Sequence, residues 1–438
     1  MIELLYGIIA LLVLAGIGFP LGFSLLAVGS VGFALNHPRG MDAAMTVAGQ
    51  QILELSANFQ FAALPLFMLM GVFVTKSGIA DNIYDTASKW LGQLRGGLAL
   101  STVAACGGMA AISGSSMATA ATMTKVAVPA MRRYHYNDAF SAGTVAAGGT
   151  IGILIPPSGA LIIYGLLSET DIAKLFIAGL IPGLISILFY IIAIQIVCLI
   201  KPEWAPRGEW TSWRQKIQSL KDIWAVILLF SMIMGGIFFG VFTASEGGGM
   251  GAGGALIIAI FRRKMSWKIF IESLAEAAKL TATVFSVGFG ALTLNQFVNI
   301  VGAPQEMLQF ISNLGLSPWG VVAFILFCFV ILGTVIDGPA MIFLTVPIFV
   351  PVIDGLALPI DPNLKLVWWG IIMVVAVEIS FITPPIGMNV FVIKSMLPDV
   401  TLGQIYRGIT AFFIADLARL LLFVSSPGLV LWLVKLMS

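Results

Sequence analysis

The sequence predicts an all-α polytopic membrane protein built as an inverted repeat, each half carrying a re-entrant helical hairpin and a helix broken by paired prolines. Three observations carry that expectation. Of 438 residues, 59% are hydrophobic and only 10% charged, against about 25% charged in soluble domains. Charge-free runs recur at 4–38, 55–75, 96–124, 139–168, 175–200, 223–245, 280–305 and 307–336, each long enough for the ~20 residues that cross ~30 Å of hydrocarbon. Finally, Pro-Pro-x-Gly occurs twice, in "LIPPSGALI" and "FITPPIGMNVF", with Pro156 and Pro384 lying 228 positions apart.

Continuous apolar runs exclude a transmembrane β-barrel, whose strands alternate over ~10 residues. The expected setting is therefore the lipid bilayer of an inner membrane. Stretches between the runs are too short to fold as soluble domains, and no nucleic-acid partner is expected. The opening "MIELLYGIIALLVLAGIGFPLG" has neither a basic leader nor an A-x-A type cleavage site, so it reads as a retained first helix. Cys106, Cys198 and Cys328 are widely spaced in apolar runs, which gives neither a disulfide framework nor a metal set.

In the first half, Gly96–Met131 places Gly107, Gly108, Gly114 and Ser113, Ser115, Ser116 mid-run, with basic residues at both ends: Lys89 and Arg95 before, Lys125, Arg132 and Arg133 after. A single crossing would violate the positive-inside rule on one side. A hairpin over 98–131 that enters and leaves from the cytoplasm satisfies it. From Leu98 to the serines is roughly 23 Å of helix at 1.5 Å per residue, too short to cross. The run 139–168 then reads as a helix broken at Pro156–Pro157, because proline removes a donor and clashes with the preceding turn, while Gly159 lets the chain redirect. The most polar segment, 201–222, holds Pro202, Pro206 and three tryptophans, as an interfacial connector would. With a linking helix it fills 201–243, separating a first repeat at 1–200 from a second at 244–438.

The second half repeats these landmarks. "SGIADNIYDTASKWLGQLRGG" (77–97) aligns with "VGAPQEMLQFISNLGLSPWG" (301–320), and "SGSS" at 113–116 falls opposite "IDGP" at 336–339. Ordered recurrence indicates an internal repeat. Counting outward from the basic loop Arg262, Arg263, Lys264, helix 270–299 goes out, a hairpin at 318–352 dips in from outside, a broken helix at 366–397 returns and 402–434 goes out. Segments 82–94 and 305–314 mix polar and apolar residues, as interfacial arms do.

Broken helices leave carbonyl and N–H groups without intrahelical partners, tolerable at membrane depth only where they face protein, water or an ion. Such carbonyls with Ser or Thr hydroxyls suit Na⁺, and half-helix N-termini attract a carboxylate. Asp337 and Glu378 lie in apolar runs, where an acid is costly unless paired, hydrated or functional. Asp337 reads equally as a Na⁺ ligand or a hydrated acid. Glu378 reads as a structural hydrogen-bonding group and as the candidate carrier should the coupling ion be a proton. Glu246 reads as a solvated or capping acid, His135 as surface and His37 as part of an outer loop.

"GGMAAISGSSMATAATM", "IGILIPPSGALIIYG", "ILGTVIDGPAMIFLTVPIFVPV" and "EISFITPPIGMNVFV" together resemble the large permease subunit of TRAP (tripartite ATP-independent periplasmic) transporters, across essentially the whole chain. One departure is "FTASEGGGMGAGGAL" at 242–256, where the family reads closer to Thr-Glu-Ala-Ala. The resemblance implies an elevator-type ion-transporter fold, in which a transport domain with both hairpins and both broken helices slides against a scaffold. It implies a small four-helix membrane subunit, a periplasmic substrate-binding protein, an organic acid substrate and Na⁺ as coupling ion, with no other cofactor. Carried over by position, one sodium site takes Ser113, Gly114, Ser115 and Ser116 with Ile155, Pro156 and Pro157. A second takes Gly333, Thr334, Asp337 and Gly338 with Thr383, Pro384 and Pro385. Substrate is expected between the tips, near Ser115, Ser158, Asn295 and Asn389.

Two other classes stay in view. A one-component Na⁺- or H⁺-coupled anion or dicarboxylate transporter of related fold needs no partners. A membrane-embedded enzyme is disfavoured, because H-E-x-x-H, G-x-S-x-G and P-loop motifs are all missing and only two histidines occur.

Overall fold

The computed structural model describes residues 2–437 apart from 304, 307, 308, 310–314, 335 and 386. Among these, all regular structure is helical, as it must be where hydrocarbon offers the backbone no hydrogen bonds. In the first half the helices are α1 (Ile2–Gly16), α2 (Leu21–Asn36), α3 (Gly40–Ala57), α4 (Ala63–Lys76), α5 (Ile79–Leu91), α6 (Gly97–Ser113), α7 (Ser116–Arg133), α8 (Asp138–Thr150), α9 (Gly159–Leu167) and α10 (Ile172–Ile200). The connector carries α11 (Trp213–Ser219), and α12 (Trp224–Phe238) follows it at a 54° bend. Then come α13 (Ala244–Phe261), α14 (Trp267–Ile300), α15 (Pro318–Leu332), α16 (Gly338–Gly355), α17 (Pro362–Ser380), α18 (Met388–Met396), α19 (Leu402–Ser425), α20 (Pro427–Val430) and α21 (Trp432–Met437). Seven of the described helices are long and apolar enough to cross a membrane, or eight if the bent pair is one span.

Helix starts follow local chemistry. Asn137 accepts from Ala139 N at 3.0 Å to cap α8, and Asp171 accepts from Ala173 N at 2.8 Å to cap α10. Ser317 caps α15 and Asp361 caps α17, each followed by proline at the first helical position, where its missing N–H costs nothing. Glu246 closes a capping box with Thr243 at the start of α13, which fits the capping role expected of it.

The helices sort into two packed groups. In one, α14 lies along α2 and α4, and α13 along α4. The α2–α14 contact is backbone to backbone: a Cβ on Gly22 would fall 2.6 Å from the Ser286 carbonyl, and one on Gly29 2.5 Å from Leu294 N. Small residues permit such close approach where apolar burial gives no drive. In the other group α6–α10 pack with α15–α19. At its centre α8 is buried from Ala139 to Thr150 and α17 from Val367 to Ser380, so protein surrounds these two helices and the polar groups they carry must find partners inside it.

Two terminal readings need correction. The opening segment is not one helix: α1 stops at Gly16, Gly18 turns with φ +84°, and α2 begins after Pro20. Proline cannot continue a helix, so the charge-free run 4–38 makes a pair of short helices that pack together. Likewise 402–434 is not continuous, because α19 ends before Pro427. The expected arm at 305–314 lies mainly outside the described residues. Its counterpart α5 buries Ile79, Ile83 and Tyr84 and is bonded to the connector by Thr86 Oγ1 to Ser219 O (3.0 Å) and Trp90 Nε1 to Lys216 O (3.1 Å).

Candidate transport site

Helices α6 and α7 meet at Gly114, held at φ +58°, a left-handed conformation that L side chains resist. Ser115 starts α7 by accepting from Ala118 N at 3.4 Å, and Ser113 and Thr119 hydroxyls share a 2.9 Å bond. This tip abuts the first proline break. A Cβ on Gly114 would fall 2.6 Å from Pro157 O, and one on Gly152 2.8 Å from Ser115 O. Between α8 and α9 the residues Ile155, Pro156 and Pro157 are buried, and among the described residues their carbonyls accept no hydrogen bond. Buried carbonyls without donors are rare unless water or a cation completes them.

The second tip lies between α15 and α16. Gly333 abuts the Ser380 side chain, and a Cβ on Gly338 would fall 2.7 Å from Phe381 Cζ. Thr334 Oγ1 donates to Ile331 O at 2.7 Å, and Thr383 Oγ1 to Ile379 O at 2.6 Å, leaving both oxygens' lone pairs free. Asp337 precedes α16 with no side-chain cap hydrogen bond, and its Oδ1 is buried with no hydrogen-bond partner among the described residues. A carboxylate oxygen is a hard donor of the kind that small cations take. The two breaks differ: Pro384 and Pro385 are exposed, and Pro385 O accepts from Tyr406 Oη at 3.0 Å.

The expected substrate groups separate. Ser116 Oγ donates to Asn389 Oδ1 at 3.0 Å, and Asn389 Nδ2 donates to Ala146 O at 3.0 Å. Both side chains are buried, so they tie the first tip to α8 and α18. Ser158 is fully buried, bonded to Ile153 O and accepting from Leu161 N at 3.3 Å. Ser115 remains at the tip. Asn295 sits half-buried on α14, in the other helix group, with no hydrogen bond to either tip among the described residues.

Sequence reading missed a charged cluster beneath the breaks. Arg419 (α19) lies 2.6 Å from Glu378 (α17) and 2.9 Å from Asp416, all three with 0% exposure. Arg419 also donates to Ser186 of α10, and its guanidinium lies 5.4 Å from the Tyr190 ring centroid; Tyr190 Oη meets Thr150 Oγ1 at 3.1 Å. Where a structural hydrogen bond was expected of Glu378, the structure has an ion pair to Arg419. The signal was available as "ADLAR", an acid and a base three apart on one helix face inside an apolar run.

At the opposite end of α7, Arg132 Nε is 2.7 Å from Asp138 and its Nη2 is 2.5 Å from Asp399. The hydrogen bond from Arg132 holds the Asp399 carboxyl below its ordinary value.

Against known families, the model for the tripartite ATP-independent periplasmic transporter, DctM component, matches residues 8–429. The chain belongs to this family. Its members are TRAP transporter large permease proteins of the inner membrane, and not enzymes. Among relatives, the C4-dicarboxylate TRAP large permease of Pseudomonas aeruginosa is 36% identical over 86% of this chain and 87% of that one. The sialic acid TRAP large permease of Vibrio cholerae is 32% identical over 90% and 89%. The isethionate TRAP permease of Oleidesulfovibrio alaskensis is 30% identical over 98% of this chain, which spans 65% of that protein. In fold, the crystal structure of the Alcanivorax borkumensis YdaH transporter is similar at a TM-score of 0.61, with 12% identity and 90% of each chain covered.

Proposed function

We propose that this TRAP large permease imports an organic acid by Na⁺-coupled elevator transport, receiving it from a periplasmic binding protein and working with a small four-helix subunit. The observation that carries the reading is the meeting of two helix tips with two proline breaks, where buried carbonyls at Ile155–Pro157 and Asp337 Oδ1 accept no hydrogen bond among the described residues. Ser113–Ser116 with Ile155, Pro156 and Pro157 form the first Na⁺ site. Gly333, Thr334, Asp337 and Gly338 with Thr383, Pro384 and Pro385 form the second. Substrate takes the space between, against Ser115.

An inverted repeat underlies the arrangement, with halves 1–200 and 244–438 joined by 201–243. Helix contacts support it: α7 packs on α18 as α16 packs on α9, and α8 on α19 as α17 on α10, so exchanging α6–α10 for α15–α19 preserves the pattern. Helices α6–α10 with α15–α19 make the moving domain, and α1–α4 with α12–α14 the scaffold. The hairpins α6–α7 and α15–α16 are re-entrant in this reading, from opposite sides.

The substrate class rests on relatives named for C4-dicarboxylate and sialic acid. The test is uptake of labelled organic acids into proteoliposomes under an imposed Na⁺ gradient, adding the small subunit and the binding protein in turn. Uptake that requires all three and collapses without Na⁺ is expected. Uptake by the chain alone, or indifference to Na⁺, overturns the corresponding part.

A further inference from the structure

A cavity of about 810 Å³ opens beside the connector, lined by Arg95, Arg207, Gln195, Trp210, Leu94 and Ile191 among others. Its walls are stitched together: Gly96 N donates to Ala205 O at 3.2 Å, Gly208 N to Gly92 O at 2.9 Å, and Gln195 Nε2 to Arg95 O at 3.4 Å. The level is the cytoplasmic surface, because Lys89, Arg132, Arg133 and Lys201 lie at the same ends of their helices and basic residues concentrate there.

Neither guanidinium has an ion-pair partner among the described residues. The neighbouring acids Glu203 and Glu209 are exposed and ion-paired to neither arginine among the described residues. From the cavity an apolar stripe runs along α10 through Leu199, Ile196, Ile192, Leu188 and Leu184, each between 47% and 76% exposed. Steps of three and four keep these on one face, and fifteen residues extend about 22 Å, the order of an acyl chain.

We propose that this cavity is a binding site for an anionic phospholipid, with the headgroup phosphate between Arg95 and Arg207, Trp210 at the interface and a chain along the α10 stripe. Two guanidiniums present bidentate donors to one phosphate. The apolar continuation distinguishes a lipid from a free anion, and the two arginines in the cavity lining distinguish it from an apolar helix-packing face. A lipid here bridges the α5–α6 turn, α10 and the connector.

The purified full chain would be titrated in detergent with phosphatidylglycerol, phosphatidylcholine and inorganic phosphate, reading bound lipid by native mass spectrometry and thermal unfolding in parallel. Phosphatidylglycerol is expected to bind selectively and raise the melting temperature. The double variant Arg95→Gln, Arg207→Gln is expected to bind it roughly ten- to thirty-fold more weakly, at about one tenfold step or less per arginine. Arg263→Gln, in the distant α13–α14 loop, should leave binding unchanged. Should the double variant fold poorly, Arg95→Lys with Arg207→Lys keeps the charge and must retain selectivity over phosphatidylcholine. Equal binding of phosphatidylcholine, equal stabilisation by inorganic phosphate alone, displacement by a partner subunit without loss of bound lipid elsewhere, or undiminished binding in the double variant each overturns the site.

Discussion

Asp337 and Arg419 show how one buried polar group acquires its meaning from what faces it. Asp337 Oδ1 has no hydrogen-bond partner among the described residues, which suits the cation role proposed for it. Asp337→Asn is expected to raise the Na⁺ concentration for half-maximal uptake by about ten- to 150-fold, one charge-assisted contact being worth about 1.5–3 kcal/mol. An unchanged Na⁺ dependence removes Asp337 from the site. Ser115→Ala combined with Thr383→Ala should likewise weaken Na⁺ activation while the melting temperature stays put. Arg419, by contrast, is ion-paired with Glu378 and Asp416 and donates a hydrogen bond to Ser186. Its removal leaves two facing carboxylates in a dry interior. Arg419→Met is expected to cost about 3–5 kcal/mol, read as a large fall in melting temperature in detergent, and a loss below about 1 kcal/mol would mean the cluster is hydrated.

Among the elements, the α6–α7 turn depends on one glycine. Gly114→Ala combines a left-handed φ with a Cβ that would fall 2.6 Å from Pro157 O. The conformational part alone costs about 1–2 kcal/mol, and the clash pushes the tip off the break. Uptake should fall further than stability does, which parallel uptake and melting measurements would separate. The far end of α7 is held by Arg132 and Asp399. Because Asp399 has a depressed folded-state pKa, its contribution is present above the ordinary aspartate value and is lost as pH falls through the lower one. The difference in melting temperature between the wild type and Asp399→Asn should therefore hold at pH 5–8, begin to shrink only as pH falls below about 4, and vanish below the depressed folded-state value.

For the whole molecule, the proposed motion is a sliding of α6–α10 with α15–α19 past α1–α4 with α12–α14. Leu64 of α4 and Gly159 of α9 lie across that boundary, a Cβ on Gly159 falling 3.6 Å from Leu64 Cδ2. Leu64→Cys with Gly159→Cys, bridged by a short thiol cross-linker in a background without native cysteines, should abolish uptake, and reduction should restore it. Leu66→Cys with Gly249→Cys, both within one group and 4.0 Å apart by the same measure, should transport when bridged. Transport by the first pair while bridged would rule out relative movement there.

Much of the fold was legible because the bilayer restricts the choices. Charge-free runs, basic flanks and capping residues such as Asn137 and Asp171 act locally, and the hairpin at 98–131 and the break at 139–168 appear as α6–α7 and α8–α9 within a residue or two. What hydropathy counted as one opening helix became two, because Gly18 and Pro20 act on the backbone and leave composition unchanged. Sequence by itself determined a helical membrane protein with paired proline breaks and their glycine-rich counterparts. Only tertiary structure decided which polar groups are spent: Asn389 on Ser116 and Glu378 on Arg419, with Asp337 Oδ1 left without a partner among the described residues. The physical reason is that a hydrogen bond or ion pair between residues 273 or 41 positions apart depends on helix packing, which no local propensity encodes.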